Sequence, residues 1–123
     1  MKILKAIQHQ LTSEQILELN EKFNNPEIIN FSDVNPELFK KIANSPSDVR
    51  ELSNLAEEFG KFCNMYDGVV LPIGSPAFNH MLRFKIIVPV LFAHSERQSV
   101  DELQPDGSVK KINIFKHVKF ICI

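Results

Sequence analysis

The chain has 123 residues, 44% of them hydrophobic, and a formal net charge of −1. This length and apolar content suit one domain over residues 1–123 whose core needs neither disulfides nor a structural metal. The near-neutral charge excludes the strongly basic profile of a protein that binds long nucleic acid, yet residues 81–123 hold seven bases against four acids while residues 1–80 hold eleven acids against seven bases. An anionic ligand would therefore lean on the C-terminal third.

Residues 2–7 open with a mostly apolar run, short enough for a buried strand. Thr12-Ser13-Glu14-Gln15 has capping-box spacing, with Thr12 as N-cap and Gln15 reaching back. Ile16, Leu19 and Phe23 follow at helical intervals, and Asn24-Asn25-Pro26 stops that helix. Residues 28–31 read as a second strand. Asn35-Pro36 and Ser45-Pro46 each place a capping residue before a proline, the usual start of a helix. The second of these helices carries one apolar stripe of Val49, Leu52, Leu55, Ala56, Phe59 and Phe62.

Asp67-Gly68 leads to a third strand over 69–73. Gly74-Ser75-Pro76 then turns into a helix carrying Phe78, Met81 and Leu82, and residues 88–93 form a fourth strand. The pattern β-α-β-α-α-β-α-β implies a Rossmann-like, mostly parallel sheet with helices on both faces. Residues 98–103 and 108–115 flank Pro105-Asp106-Gly107, a hairpin turn signal, and residues 118–122 alternate as a final strand. The fold class is thus α/β with a C-terminal β-hairpin and strand extension.

Cys63 and Cys122 are isolated, and no CxxC or Cys/His cluster appears, so no structural zinc is expected and a reducing compartment fits. With no leader-like segment, no membrane-length apolar run and no polybasic block, a cytoplasmic protein is expected.

In an open α/β sheet, ligands bind beyond the C-terminal ends of the parallel strands. Three such ends are polar here: Gln8-His9-Gln10 with Thr12-Ser13, then Gly74-Ser75, then His94-Ser95-Glu96-Arg97. Gly74-Ser75-Pro76 offers a close backbone approach and a helix start to a phosphate, or is a plain turn with Ser75 as N-cap. It is neither a Walker A nor a GxGxxG sequence. His9 and His94 stand at strand ends, as ligand or catalytic groups or as partners of a neighbouring loop. Arg97 has the donors to grip a phosphate or to pair with an acid such as Glu96. Strand alternation sets His117, Lys119 and Phe115 on one face and Lys116 on the other. The four histidines have no HxH or HxxxH spacing, and no metal site, cofactor site or GxSxG elbow is indicated.

The segment Gln8-His9-Gln10-Leu11-Thr12-Ser13-Glu14-Gln15 resembles the strand-to-helix start of a small Csx-type, CRISPR-associated family of type III systems. His9, Leu11, Thr12, Glu14 and Gln15 match its pattern, and Gln8 replaces a serine. Asp106-Gly107-Ser108-Val109-Lys110, leading to Phe115-Lys116-His117-Val118-Lys119-Phe120, is similar to that family's terminal hairpin and strand. Gly74 and Arg97 match a glycine and an arginine of the family, while Ser75-Pro76 and His94-Ser95 depart from it.

The resemblance implies a compact CARF-like fold and a ring nuclease, a homodimer that binds and cleaves cyclic oligoadenylate, above all cyclic tetra-adenylate. On that reading His9 is the acid/base group and Arg97 stabilises charge. Gln8, Thr12, Gly74, Ser75, His94, Ser95, Lys116 and His117 line the ligand, with His94 and His117 as reserve acid/base groups. No metal or other cofactor is needed. The rival expectations are a non-catalytic sponge for the same messenger, and a regulatory or interaction domain with no nucleotide ligand.

Overall fold

A computed structural model describes residues 1–122, with the backbone alone at Arg97, Gln98, Phe115 and Lys116. In chain order the elements are β1 (Lys2–Lys5), α1 (Ser13–Phe23), β2 (Glu27–Asn30), α2 (Phe31–Val34), α3 (Pro36–Ala43), α4 (Val49–Cys63), β3 (Gly68–Leu71), α5 (Pro76–Leu82), β4 (Val90–Leu103) and β5 (Val109–Cys122). The strands form one five-stranded sheet in the order β2-β1-β3-β4-β5. The first four pair in parallel, and β5 runs antiparallel to β4. The architecture is α/β, with a mixed, mostly parallel sheet flanked by helices.

β1 and β3 lie inside the sheet with cover on both faces, and of their eight residues only Lys2 is exposed. On one face Ile3, Val70, Leu91 and Phe120 pack with Leu19 of α1. On the other, Leu4, Val69 and Leu71 pack with Phe31, Ile42, Leu52, Phe59 and Phe78, from α2 through α5. Phe31 anchors this larger core, with its ring 4.6 Å from that of Phe59 and 5.3 Å from that of Phe62.

Local chemistry sets most boundaries as the sequence predicts. Thr12 caps α1 in a complete capping box with Gln15, and left-handed Asn24 closes the helix. Asn35 caps α3, and Ser75 caps α5. Five expectations are corrected. Ser45-Pro46 does not start a helix: α4 begins at Val49, where the Asp48 carboxylate accepts the Glu51 N–H at 3.0 Å. Ser45 instead donates its hydroxyl to Ile42 O and accepts the Ser75 N–H at 3.0 Å, joining α3 to the start of α5. Val49, expected on the buried stripe, is 67% exposed. Phe31 leaves the second strand to begin α2.

The fourth correction concerns residues 94–97, expected as a loop. They lie within β4, whose pairing with β5 runs without a break from Leu91 to Leu103 apart from one irregularity. β3 accompanies β4 only over Val90–Phe92; past that point β4 and β5 continue as a two-stranded ribbon, and the polar run His94-Ser95-Glu96-Arg97 carries no apolar alternation to mark it as strand. The fifth lies at that irregularity. His94 pairs with Lys119 and Ser95 with His117, leaving Val118 as an extra residue, a β-bulge. The bulge reverses the alternation, so His117 shares a face with Phe120 rather than with Lys119, and the two rings lie 5.0 Å apart.

Candidate functional site

β1 and β3 are neighbours, but their outgoing connections part. The chain leaves β1 for α1 on one face and leaves β3 for α5 on the other. Such a switch point opens a crevice beyond the carboxyl ends of the strands. Here it is a cleft of about 340 Å³ lined by Ile7, Gln8, His9, Pro72, Ile73, Gly74 and Ala93. The structure therefore brings together Gln8, His9 and Gly74 of the residues singled out by sequence.

His9 is exposed, and its Nδ1 lies 3.0 Å from the Gln10 carbonyl oxygen. A carbonyl only accepts, so Nδ1–H is the donor here, and in the neutral form of the ring Nε2 is left as the lone pair. That is the tautomer a general base needs.

Gly74 has φ of 68°, and a Cβ there would collide with Ile42 O and Ser45 Oγ. The glycine is thus required by the close approach of the end of α3. Its neighbour Ser75 accepts the Phe78 N–H at 3.2 Å through its hydroxyl. The Ser75 N–H, expected to position a phosphate, is engaged by Ser45. Asn79, which sequence reasoning missed, clamps this loop: its Nδ2 donates to Ile73 O at 2.7 Å and Ser75 O at 2.8 Å, and its Oδ1 accepts the Ile73 N–H at 3.3 Å. An asparagine one turn after an N-cap serine was the available signal.

Two expected site residues, Thr12 and His117, are used elsewhere. Thr12 is occupied by the cap. The amide of Gln15 is oriented by that cap, because its Oε1 accepts the Thr12 N–H at 3.0 Å and so turns Nε2 toward His117 Nδ1 at 3.4 Å. The His117 side chain is 6% exposed, and its Nε2–H donates to Glu18 Oε1 at 3.0 Å. Glu18 Oε2 accepts the Phe120 N–H at 2.7 Å, while Lys22 Nζ donates to Phe120 O at 3.1 Å.

This network pins α1 to β5 and caps the outer edge of that strand, which limits edge-to-edge pairing. Burial alone would raise the Glu18 pKa, but the bonds from Phe120, His117 and Lys22 outweigh it and hold the carboxyl below its ordinary value. His94, on the face opposite Ser95, points away from the cleft side, with Nε2 3.8 Å from Glu96 Oε1. Ser95 lies two residues beyond Ala93 on the cleft side of β4. The side chains of Arg97 and Lys116, both expected at the site, lie outside the described residues.

Lys5, at the carboxyl end of β1, is a second residue the sequence did not single out. It is 8% exposed, donates to Asn30 Oδ1 at 3.1 Å, and has its pKa lowered by burial against the opposing pull of Asp33. A lone lysine inside an apolar strand run was its signal. Among the described residues no group of three His, Cys, Asp or Glu side chains is placed to hold a metal, and no helix is long and apolar enough to cross a membrane.

Fold and cleft together define an α/β protein with a small polar-mouthed crevice at the switch point of a mostly parallel sheet. Over residues 1–121 the chain matches the Uncharacterized protein MJ1673 family, and it belongs to that family. No curated protein and no solved structure matches it.

Proposed function

We propose that the protein is a CARF-like, Rossmann-type ring nuclease that acts in the cytoplasm on cyclic tetra-adenylate, switching off type III CRISPR signalling. The motif resemblance at both ends of the chain supplies the ligand. The observation that carries the chemistry is His9, held at the cleft with Nδ1 committed to Gln10 O and Nε2 open.

In the proposed step, His9 Nε2 takes the proton of a ribose 2′-OH as that oxygen attacks the adjacent phosphorus. The P–O5′ bond breaks, leaving a 2′,3′-cyclic phosphate, and the imidazolium returns the proton to the 5′-oxygen. Attack within one nucleotide needs the ring held in a near-attack geometry and its extra charge stabilised, without a metal. Gln8 orients the ligand from the same wall, and Arg97 serves the charge. A two-fold homodimer matches the repeated phosphates of a cyclic ligand.

A second reading is binding without turnover, as a messenger sponge. It is favoured by the small number of chemical groups at the cleft, since the Ser75 N–H is engaged and His94 faces away.

The test is labelled cyclic tetra-adenylate with purified protein in EDTA. Sub-stoichiometric protein that consumes excess ring supports the nuclease, and His9→Ala then lowers the rate by about a hundredfold or more with unchanged stability. Arg97→Ala is the companion variant, and an unchanged rate removes that residue from the mechanism. Ring protected only up to the concentration of sites identifies the sponge. Absence of both cleavage and a thermal shift leaves a protein–protein or regulatory role.

A further inference from the structure

We propose that the side of β4 and β5 left uncovered beside α5 is the surface through which two copies of this chain associate about a two-fold axis. The two faces of these strands differ. Toward α1, Leu91 and Phe120 are 0% and 1% exposed. On the opposite face the helical layer ends at α5. There Phe92 is only half-buried, and Ile121, which pairs with it across the strands, is 41% exposed.

Between α5 and this sheet face runs a groove of about 630 Å³, with Leu71, Val90 and Phe92 as its floor and Arg83, Ile86 and Ile87 along its side. Ile87 is 88% exposed and Phe84 is 73% exposed. Phe84 lies next to the groove, 5.8 Å from the ring of His80 in its wall.

Size and shape select the occupant. A small molecule would fill the groove but leave Phe84 and the outer side of Ile87 in water. A second copy presents both halves of the contact, an apolar groove and apolar projections beside it. A two-fold axis lets each projection enter the partner's groove, the condition for an isologous interface. Phe84, Ile87 and Ile121 offer on the order of 300–400 Å² of apolar surface. That forms the centre of an interface of about 800 Å² per partner once its polar rim is counted. Arg83 leans over the Phe84 ring at 5.7 Å and, with Lys119 and the His94–Glu96 pair, supplies that rim.

A dimer also belongs to the functional reading above, but this surface is argued without the ligand, and its test omits nucleotide so that the two fail separately. Sedimentation velocity over micromolar to near-millimolar protein should show a dimer of the wild type. Ile87→Glu and Phe84→Glu should each weaken association about thirtyfold or more with unchanged circular dichroism, while Leu17→Glu, an exposed position on α1, should not. A wild-type monomer throughout the range, or a dimer indifferent to both groove-side variants, overturns the proposal. A monomer whose groove takes up a fluorescent amphiphile assigns it to a small apolar ligand instead, which also overturns it.

Discussion

β1 and β3 are four residues long and bury nearly every side chain; β4 and β5 are 14 residues long and, among their described side chains, bury only Leu91 and Phe120. One sheet thus contains two kinds of stability. The inner strands are held by burial against helices on both faces. The outer ribbon is held by pairing along its length, by register that sets Asp101 opposite Lys111 and Glu102 opposite Lys110, and by the Asp106–Ser108 turn. A two-stranded ribbon alone is marginal in water. The pin from α1 through Glu18, His117 and Lys22 therefore ties it to the part that is not.

If this division holds, substitutions in the two regions differ in size and reach. Phe59→Ala, at the centre of the aromatic core, should lower the unfolding free energy by about 3–5 kcal/mol. Urea denaturation checks this, and a loss below 1 kcal/mol would refute the burial account. Gly74→Ala should cost more than the roughly 1–2 kcal/mol of a left-handed alanine, because the new methyl also displaces Ile42 O and Ser45. Its signature is loss of stability and of the cleft together.

Glu18→Gln should cost about 1.5–3 kcal/mol, the range for hydrogen bonds to a charged group. The folded-state pKa of Glu18 is depressed, so its contribution is full above the unfolded value and is lost as pH falls from about 4.3 through the folded value. The variant should lose that acid limb. Stability–pH curves of the two proteins that run parallel in acid would show that the pin contributes nothing.

Smallest is Glu102→Lys, which sets like charges opposite each other at Lys110 and should cost about 0.2–1 kcal/mol. Hydrogen exchange should rise in the ribbon and stay unchanged in β1 and β3; a global change would erase the distinction.

The same division explains what could be read in advance. Elements whose ends carry their own capping chemistry were legible, as Thr12 with Gln15, Asn35-Pro36, Ser75-Pro76 and Asp106-Gly107 show. The start of α4 was not, because Ser45 has a capping residue's chemistry but is taken by the Ser75 N–H, 30 positions away. In the ribbon the turn and the strands over 98–103, 108–115 and 118–122 were legible. Residues 94–97 were not, because the polar run His94-Ser95-Glu96-Arg97 lacks the period of two that identifies a half-buried strand. In the site, Gln8, His9 and Gly74 were visible as polar or glycine residues where apolar strands end. The network of Gln15, Glu18 and His117 spans some 100 positions, and sequence spacing carries no trace of it.

The extra residue at Val118 has a consequence for how this protein tolerates change in length. Strand side chains obey a parity rule, and β5 is written in two frames, one on each side of that residue. Removing Val118 would merge the frames: Lys119 opposite His94 would be followed directly by His117 opposite Ser95, so residues 109–117 would keep both their partners and their faces. His117 would stay on the side of α1 with Phe120, and Ile112 and Ile114 on the side away from it. Conservative substitutions along the ribbon are absorbed one position at a time. A deletion at 118 removes the bulge and leaves the phase intact, whereas a deletion in the paired stretch beyond it is a phase error carried to the tip of the hairpin.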